Sequence, residues 1–127
     1  MANWWTEFFD DDYAAFHLAN DPPEVIDKAV DFIIKTAGLV HGGGQTIFDQ
    51  CCGIGRISIP LARRGFRIQG VGLNPSYVRA PAERARTENL PCTFMPADAF
   101  THVCAQKCDA AVNWFTSFSY SPDDETN

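Results

Sequence analysis

Short apolar runs alternate with segments of helical periodicity, and this alternation constrains the fold more than any other feature of the chain. TIFDQ reads as a buried strand, RISIPLARRG as a helix that ends at Gly65, and FRIQGVGL as the next strand. CTFMPADAF and DAAVNWFTSF supply two further strand-like runs. Strands and helices that alternate in this order predict an α/β domain with a mostly parallel sheet.

Two helix boundaries can be read from cap residues. Asn74 and Pro75 are the expected cap and first residue of the helix PSYVRAPAERART, in which Pro81 should cause a kink or an interruption. Near the N-terminus, Asp21 is the expected cap of a helix that stops at Gly38. The core-facing positions predicted for this second helix are Ile26, Val30, Ile33 and Ala37.

An aromatic-rich helix is predicted upstream, and either core packing or a lid over a ligand explains its composition. Its aromatic positions are Trp5, Phe8, Phe9, Tyr13 and Phe16.

The length of 127 residues predicts one domain. We expect it to cover residues 1–127, with N-terminal helices in residues 1–40 and a Rossmann-like core in residues 46–120.

Composition excludes several classes of function. The net charge of −6 disfavours nucleic acid as a partner, because that binding depends on Lys and Arg. No apolar run approaches the roughly 18 residues of a membrane span, and the first residues lack the features of a signal peptide. Five cysteines, an odd number, indicate reduced thiols. We expect a cytoplasmic protein with no membrane contact.

Metal and nucleotide motifs are weak. Cys51 and Cys52 are adjacent, and His102, Cys104 and Cys108 have irregular spacing, so no metal site is assigned and a metal-thiolate protein is the last of the hypotheses. The turn DQCCGIGR follows a strand and opens a helix, but it departs from the glycine pattern of dinucleotide-binding proteins. No phosphate-binding P-loop occurs in the sequence.

Taken together, FDQCCGIGRISIPLARRGFRIQGVGLNPS, PADAF and CDAAVNWFTSFSY resemble class I S-adenosylmethionine-dependent methyltransferases. The resemblance implies a sheet of about four strands in the order 3-2-1-4 with flanking helices, and S-adenosylmethionine as cofactor. It implies that the turn after the first strand surrounds the methionine part of the cofactor, that Asp98 and Ala99 face the adenine, and that Asn113 borders the methyl-transfer site. The turn residues are Asp49, Cys51, Cys52, Gly53, Gly55 and Arg56.

The sequence departs from this family in two places. The family usually ends its second strand with an acidic residue that binds the ribose, whereas this chain has Gly72 followed by Leu73. Losing hydrogen bonds to a charged group weakens binding by about 1.5 to 3 kcal/mol. The family's sheet is also larger, while this chain ends just past the fourth strand. We expect a truncated domain completed by a homodimer, through the fourth-strand edge or segment exchange, or by another polypeptide.

Two function classes stay open. The first is a methyltransferase that acts on a small-molecule acceptor, for which no catalytic residue can be named because methyl transfer depends mainly on proximity and orientation. The second is a non-catalytic, oligomerising protein with a methyltransferase fold and lost or weakened cofactor binding. Cofactor binding discriminates between them.

Overall fold

The computed structural model describes residues 22–50, 52, 54–98, 101–104 and 106–113. The predicted aromatic helix, the residues after position 113 and Asp21 lie outside the described residues. Within the described residues the elements are α1 (Pro23–Thr36), β1 (Thr46–Asp49), α2 (Ser58–Arg63), β2 (Arg67–Gly72), α3 (Pro75–Thr87), β3 (Cys92–Pro96) and β4 (Ala110–Val112).

The four strands form one parallel sheet in the order β3-β2-β1-β4. Ile47 lies opposite Ile68 of β2 and opposite Ala110 of β4, which fixes the register around the central strand. At the start of β1, Thr46 N–H donates to Asp109 Oδ2 at 2.8 Å, and Asp109 N–H donates to Thr46 O at 2.7 Å. The predicted α/β fold and strand order are confirmed.

One face of the sheet carries the hydrophobic core. Ile47 and Ile68 share this face and pack with residues of α1, α2 and the segment that precedes β2. The most deeply buried of these partners are Val30, Leu61 and Phe66, all fully buried. Burying a side chain of this size contributes roughly 1.5 to 3 kcal/mol, so this face stabilises the domain. Because side chains alternate along a strand, Asp49 lies on the same face as Ile47.

Helix α1 differs from its sequence prediction in its N-cap and in the exposure of Ala37. Its N-cap is Pro22, which makes no side-chain cap hydrogen bond, and Pro23 is the first helical residue. At the other end Gly38 has φ +66° and therefore stops the helix as predicted. Ala37, predicted on the core face, is exposed because the helix ends at Thr36 and the chain turns away there.

Of the kink or interruption predicted at Pro81, the interruption is wrong, because helix α3 continues through this residue. Proline lacks the N–H that would bond one turn back, and this costs about 3 kcal/mol in an ordinary helix interior. Here Pro81 is fully buried and packs against the turn that follows β1. The packing of the buried face of α3, to which Tyr77, Val78 and Ala85 also belong, compensates for the missing bond. Asn74 is its cap and Pro75 its first residue, as predicted.

Arginines at the end of α2 connect it to the other two helices. Arg64 contacts Asp31 and lies 3.5 Å from Asp27 of α1. Arg63 donates to both carboxylate oxygens of Glu88, at 2.8 and 2.7 Å, just after α3. The hydrogen bond from Arg63 lowers the pKa of Glu88. These exposed pairs orient the helices more than they stabilise the fold.

None of the helices in the described ranges is long and apolar enough to cross a membrane. The same part of the chain contains no group of three or more His, Cys, Asp or Glu side chains that could hold a metal ion.

Candidate functional site

The carboxyl ends of the four strands lie at one edge of the sheet, and the loops that leave this edge form the candidate site. All four strands are parallel, and β1 has β2 on one side and β4 on the other. The chain turns from β1 to β2 in one direction and reaches β4 in the other, so the strand order reverses beside β1. In open α/β sheets, ligands bind in the crevice at such a reversal.

Asp49 ends β1 and is a buried carboxylate. Its side chain is 2% exposed, and its Oδ2 atom accepts a hydrogen bond of 2.6 Å from the Ser58 hydroxyl, which is itself fully buried. Ser58 is the first residue of α2. This hydrogen bond therefore fixes the start of α2 relative to the end of β1. The buried Asp49 side chain thereby stabilises the loop between β1 and α2.

The turn between β1 and α2 approaches β2 closely. Cys52 N–H donates to Val71 O of β2 at 2.9 Å, and Gly55 N–H donates back to Cys52 O at 2.9 Å. Cys52 is buried, and Arg56 is half-buried. Cys51 and Gly53, also predicted as cofactor contacts, lie outside the described residues.

Gly55 cannot be replaced without strain. Its φ is +82°, and a Cβ atom built there would lie 2.6 Å from Cβ of Pro81 in α3. Ile59 N–H donates to Gly55 O at 3.1 Å, so the residue also starts the hydrogen bonding of α2. The small residue in this loop is thus required by the close approach of α3.

Strand β2 ends with a buried position that has no side chain. Gly72 is opposite Pro96 in the sheet, and its carbonyl accepts a hydrogen bond of 3.0 Å from Ala97 N–H. Leu73, which follows, is 49% exposed at the same edge. Asn74 is close in sequence, but its Oδ1 atom accepts from Ser76 N–H at 2.9 Å and from the Ser76 hydroxyl at 2.8 Å. This oxygen caps α3.

Asp98 follows β3 and has an exposed side chain. Its backbone carbonyl accepts hydrogen bonds from Thr101 N–H at 3.1 Å and from His102 N–H at 2.9 Å, which closes a turn. The His102 ring stacks on Phe48 of β1, with ring centres 5.9 Å apart. The connection after β3 is therefore anchored over β1. Ala99 lies outside the described residues.

Asn113, directly after β4, makes a side-chain contact across the strand reversal. Its Nδ2 atom donates to Gln50 Oε1 at 3.1 Å, and Gln50 N–H donates to Val112 O at 2.9 Å. The Asn113 Oδ1 atom is buried and has no hydrogen-bond partner. A buried acceptor without a donor costs about 1 to 3 kcal/mol, so a ligand that supplies a donor here would gain affinity.

The structure places the described candidates, Asp49, Cys52, Gly55, Arg56, Gly72, Leu73, Asp98 and Asn113, at or just after the carboxyl edge of the sheet. It also adds residues that the sequence did not single out. Ser58 and Gln50 are the hydrogen-bond partners of Asp49 and Asn113. A hydroxyl at the start of a helix next to a buried acid could have indicated the first pair, whereas nothing in the sequence indicates the second.

The chain is similar in sequence to known methyltransferases. The family model described as "Methyltransferase domain" matches residues 47–127, more than half of the chain. A protein of Methanocaldococcus jannaschii, named for a proposed protein N5-glutamine methyltransferase activity, is 34% identical over 82 residues, or 64% of this chain and 42% of the relative. The 23S rRNA (uracil(747)-C(5))-methyltransferase of Pyrococcus abyssi is 34% identical over 56 residues, or 44% of this chain and 14% of the relative.

This chain is also similar to a methyltransferase of known structure. Coclaurine N-methyltransferase, in complex with N-methylheliamine and S-adenosylhomocysteine, superposes with a TM-score of 0.60 and 25% identity, over 69% of this chain and 26% of that enzyme. The chain thus spans less than half the length of each of these three proteins. Because one relative is named for rRNA, the expectation that nucleic acid is no partner receives no support. The resemblance predicted from the sequence is confirmed, and the chain belongs to the methyltransferase domain family.

Proposed function

We propose that this chain binds S-adenosylmethionine at the carboxyl edge of its sheet and takes part in methyl transfer. One observation carries the proposal: the segments that follow β1 and β3 are both hydrogen-bonded to the carboxyl end of β2. Cys52 N–H bonds to Val71 O at 2.9 Å, and Ala97 N–H bonds to Gly72 O at 3.0 Å. These contacts bring the predicted methionine, ribose and adenine contacts to one edge.

One described residue favours such a ligand, because the unpartnered Asn113 Oδ1 atom offers an acceptor on the far side of β1. Gly72, at the position proposed to meet the ribose, supplies no carboxylate. The cofactor supplies an electrophilic sulfonium methyl group. The protein's proposed contribution is to bind the cofactor through the turn Cys52–Arg56 and through Asp98, and to orient an acceptor near Asn113.

The acceptor we propose is a small molecule. The net charge of −6 disfavours a polyanionic acceptor. Coclaurine N-methyltransferase, bound to N-methylheliamine, is a family precedent for an acceptor of this class. Transfer of a labelled methyl group to a panel of small amines, to glutamine-containing peptides and to ribosomal RNA separates the classes. Incorporation into RNA or peptide alone would refute the small-molecule proposal.

Asp98→Ala tests cofactor binding at the proposed place. The exposed carboxylate is removed, while the backbone carbonyl that closes the turn is kept. S-adenosylhomocysteine should raise the melting temperature of the unsubstituted protein and should not raise that of the variant. Glu83→Ala, which removes an exposed acid on α3 away from this edge, is the matched control and should keep the shift. An equal shift in Asp98→Ala would refute the assignment.

A second candidate function is a non-catalytic protein that uses this fold for assembly. Two observations favour it: Gly72 offers no carboxylate, and Asn74 Oδ1 is already used to cap α3. In the described residues β4 is the edge of the sheet, and pairing along that edge would give the proposed homodimer. Light scattering at micromolar concentration tests the dimer, and a well-folded monomer would refute it.

A further inference from the structure

Two thiols lie together in the connection between β3 and β4. Cys104 and Cys108 line one cleft beside Phe48 of β1, together with Lys107 and Asp109. Both cysteines are half-buried, so small reagents can reach them. The cleft borders β4 and lies outside the set of residues proposed to hold the cofactor.

Cys104 is an electrostatic neighbour of Cys108 in this cleft. The Cys108 thiol donates to Gln106 O at 3.8 Å. Burial raises the pKa of Cys108, and the neighbouring Cys104 and Asp109 raise it further.

We propose that Cys104 and Cys108 are a reversible dithiol–disulfide pair that is oxidised by glutathione disulfide or a similar low-molecular-weight disulfide. The thiolate of Cys104 attacks one sulfur of glutathione disulfide, so that a mixed disulfide between Cys104 and glutathione forms and the other glutathione leaves as a thiolate. Cys108 then loses its proton and attacks the Cys104 sulfur, which expels the second glutathione. Two protein thiols are oxidised, one disulfide is reduced, and the two protons pass to the two glutathione thiolates.

The other described cysteines are poor candidates for this reaction. Cys52 is 6% exposed under the turn after β1. Burial raises the pKa of Cys92 in β3 to about 11, so little of its thiolate exists near neutral pH. Cys104 and Cys108, by contrast, are both half-buried and line the same cleft. The proposal does not depend on cofactor binding.

The sequence allows a direct test, because Lys107 lies between the two cysteines. The full chain is equilibrated in buffers of increasing glutathione disulfide to glutathione ratio, free thiols are alkylated, and the protein is digested with trypsin without reduction. Cleavage after Arg86 and Lys107 places Cys104 in residues 87–107 and Cys108 in residues 108–127. A Cys104–Cys108 disulfide therefore joins these two peptides, and mass spectrometry detects the joined species until a reductant is added.

Three serine variants identify the atoms involved. Cys104→Ser and Cys108→Ser should each abolish the joined peptide, while Cys92→Ser, which removes the other cysteine of residues 87–107, should keep it. Absence of the joined peptide at every ratio would overturn the proposal. Three other results would also overturn the proposal. They are a joined peptide that persists in Cys104→Ser, a disulfide between residues 108–127 and the peptide that holds Cys51 and Cys52, and a disulfide-linked dimer on a non-reducing gel.

Discussion

Pro81 of α3 lies so close to Gly55 that a Cβ atom at position 55 would stand 2.6 Å from the Cβ atom of the proline. The contact joins the turn after β1 to the middle of the helix after β2. It explains both a glycine in the loop and a proline that the helix accommodates. The geometry of the candidate cofactor loop therefore depends on α3.

Gly55→Ala should destabilise the protein. The substitution adds a Cβ atom at φ +82° and forces it against Pro81. Backbone strain costs about 1 to 2 kcal/mol and overpacking about 1 to 3 kcal/mol, so we expect a loss of roughly 2 to 5 kcal/mol in the free energy of unfolding. Urea denaturation measures this loss.

Gly38→Ala is the matched control for this prediction. Gly38 has φ +66°, but a Cβ atom there meets nothing within 4 Å. It should therefore lose only the backbone term of about 1 to 2 kcal/mol. Equal losses in the two variants would contradict the role of the Pro81 contact.

Ser58→Ala should loosen the start of α2. The hydroxyl donates to the buried carboxylate of Asp49 at 2.6 Å, and its removal takes a charge-assisted hydrogen bond from a group that water does not reach. We expect a loss of about 1 to 3 kcal/mol in the free energy of unfolding. Thr87→Ala, which removes an exposed hydroxyl bonded to Glu83 O at 2.9 Å, should cost much less. A smaller loss in Ser58→Ala than in Thr87→Ala would disprove this account.

Gly72→Asp should strengthen cofactor binding. A carboxylate at the end of β2 can accept charge-assisted hydrogen bonds from the ribose hydroxyls, worth about 1.5 to 3 kcal/mol, or roughly one to two decades in Kd. Calorimetry with S-adenosylhomocysteine measures the change, and Gly72→Asn, of similar size but uncharged, should gain less. Unchanged affinity in a Gly72→Asp variant with an unaltered melting temperature would rule out a ribose at this position.

The buried thiol of Cys92 should make the free energy of unfolding decrease at alkaline pH. Burial raises the pKa of its thiol from 9.0 to about 11 in the folded state, so the unfolded chain loses this proton first. The stabilising contribution is complete below pH 9 and declines as the pH rises towards about 11. Denaturant unfolding over this range should show a shallower decline for Cys92→Ala than for the unsubstituted protein. Identical slopes would contradict the raised pKa.

The main features of the sheet were predictable because strand and helix periodicities differ. Ile47, Ile68 and the cap at Asn74 lie where local patterns place them. The helix through Pro81 was not predictable, because the packing that supports it comes from a loop far away in sequence.

The sequence predicted where the site residues lie in the fold, but it did not predict which side chains they contact. Asp49 and Asn113 stand at strand ends, as the family resemblance implies. Their hydrogen bonds to Ser58 and Gln50 arise only when the strands are brought side by side. Sequence spacing carries no information about such side-chain partners.

Isothermal titration of the unsubstituted protein with S-adenosylmethionine and with S-adenosylhomocysteine measures whether this chain binds the cofactor. We predict saturable binding of both ligands at one site per chain, with an affinity limited by the missing carboxylate at Gly72. No binding of either ligand at millimolar concentration would contradict it and would leave the assembly function as the better description of this fold.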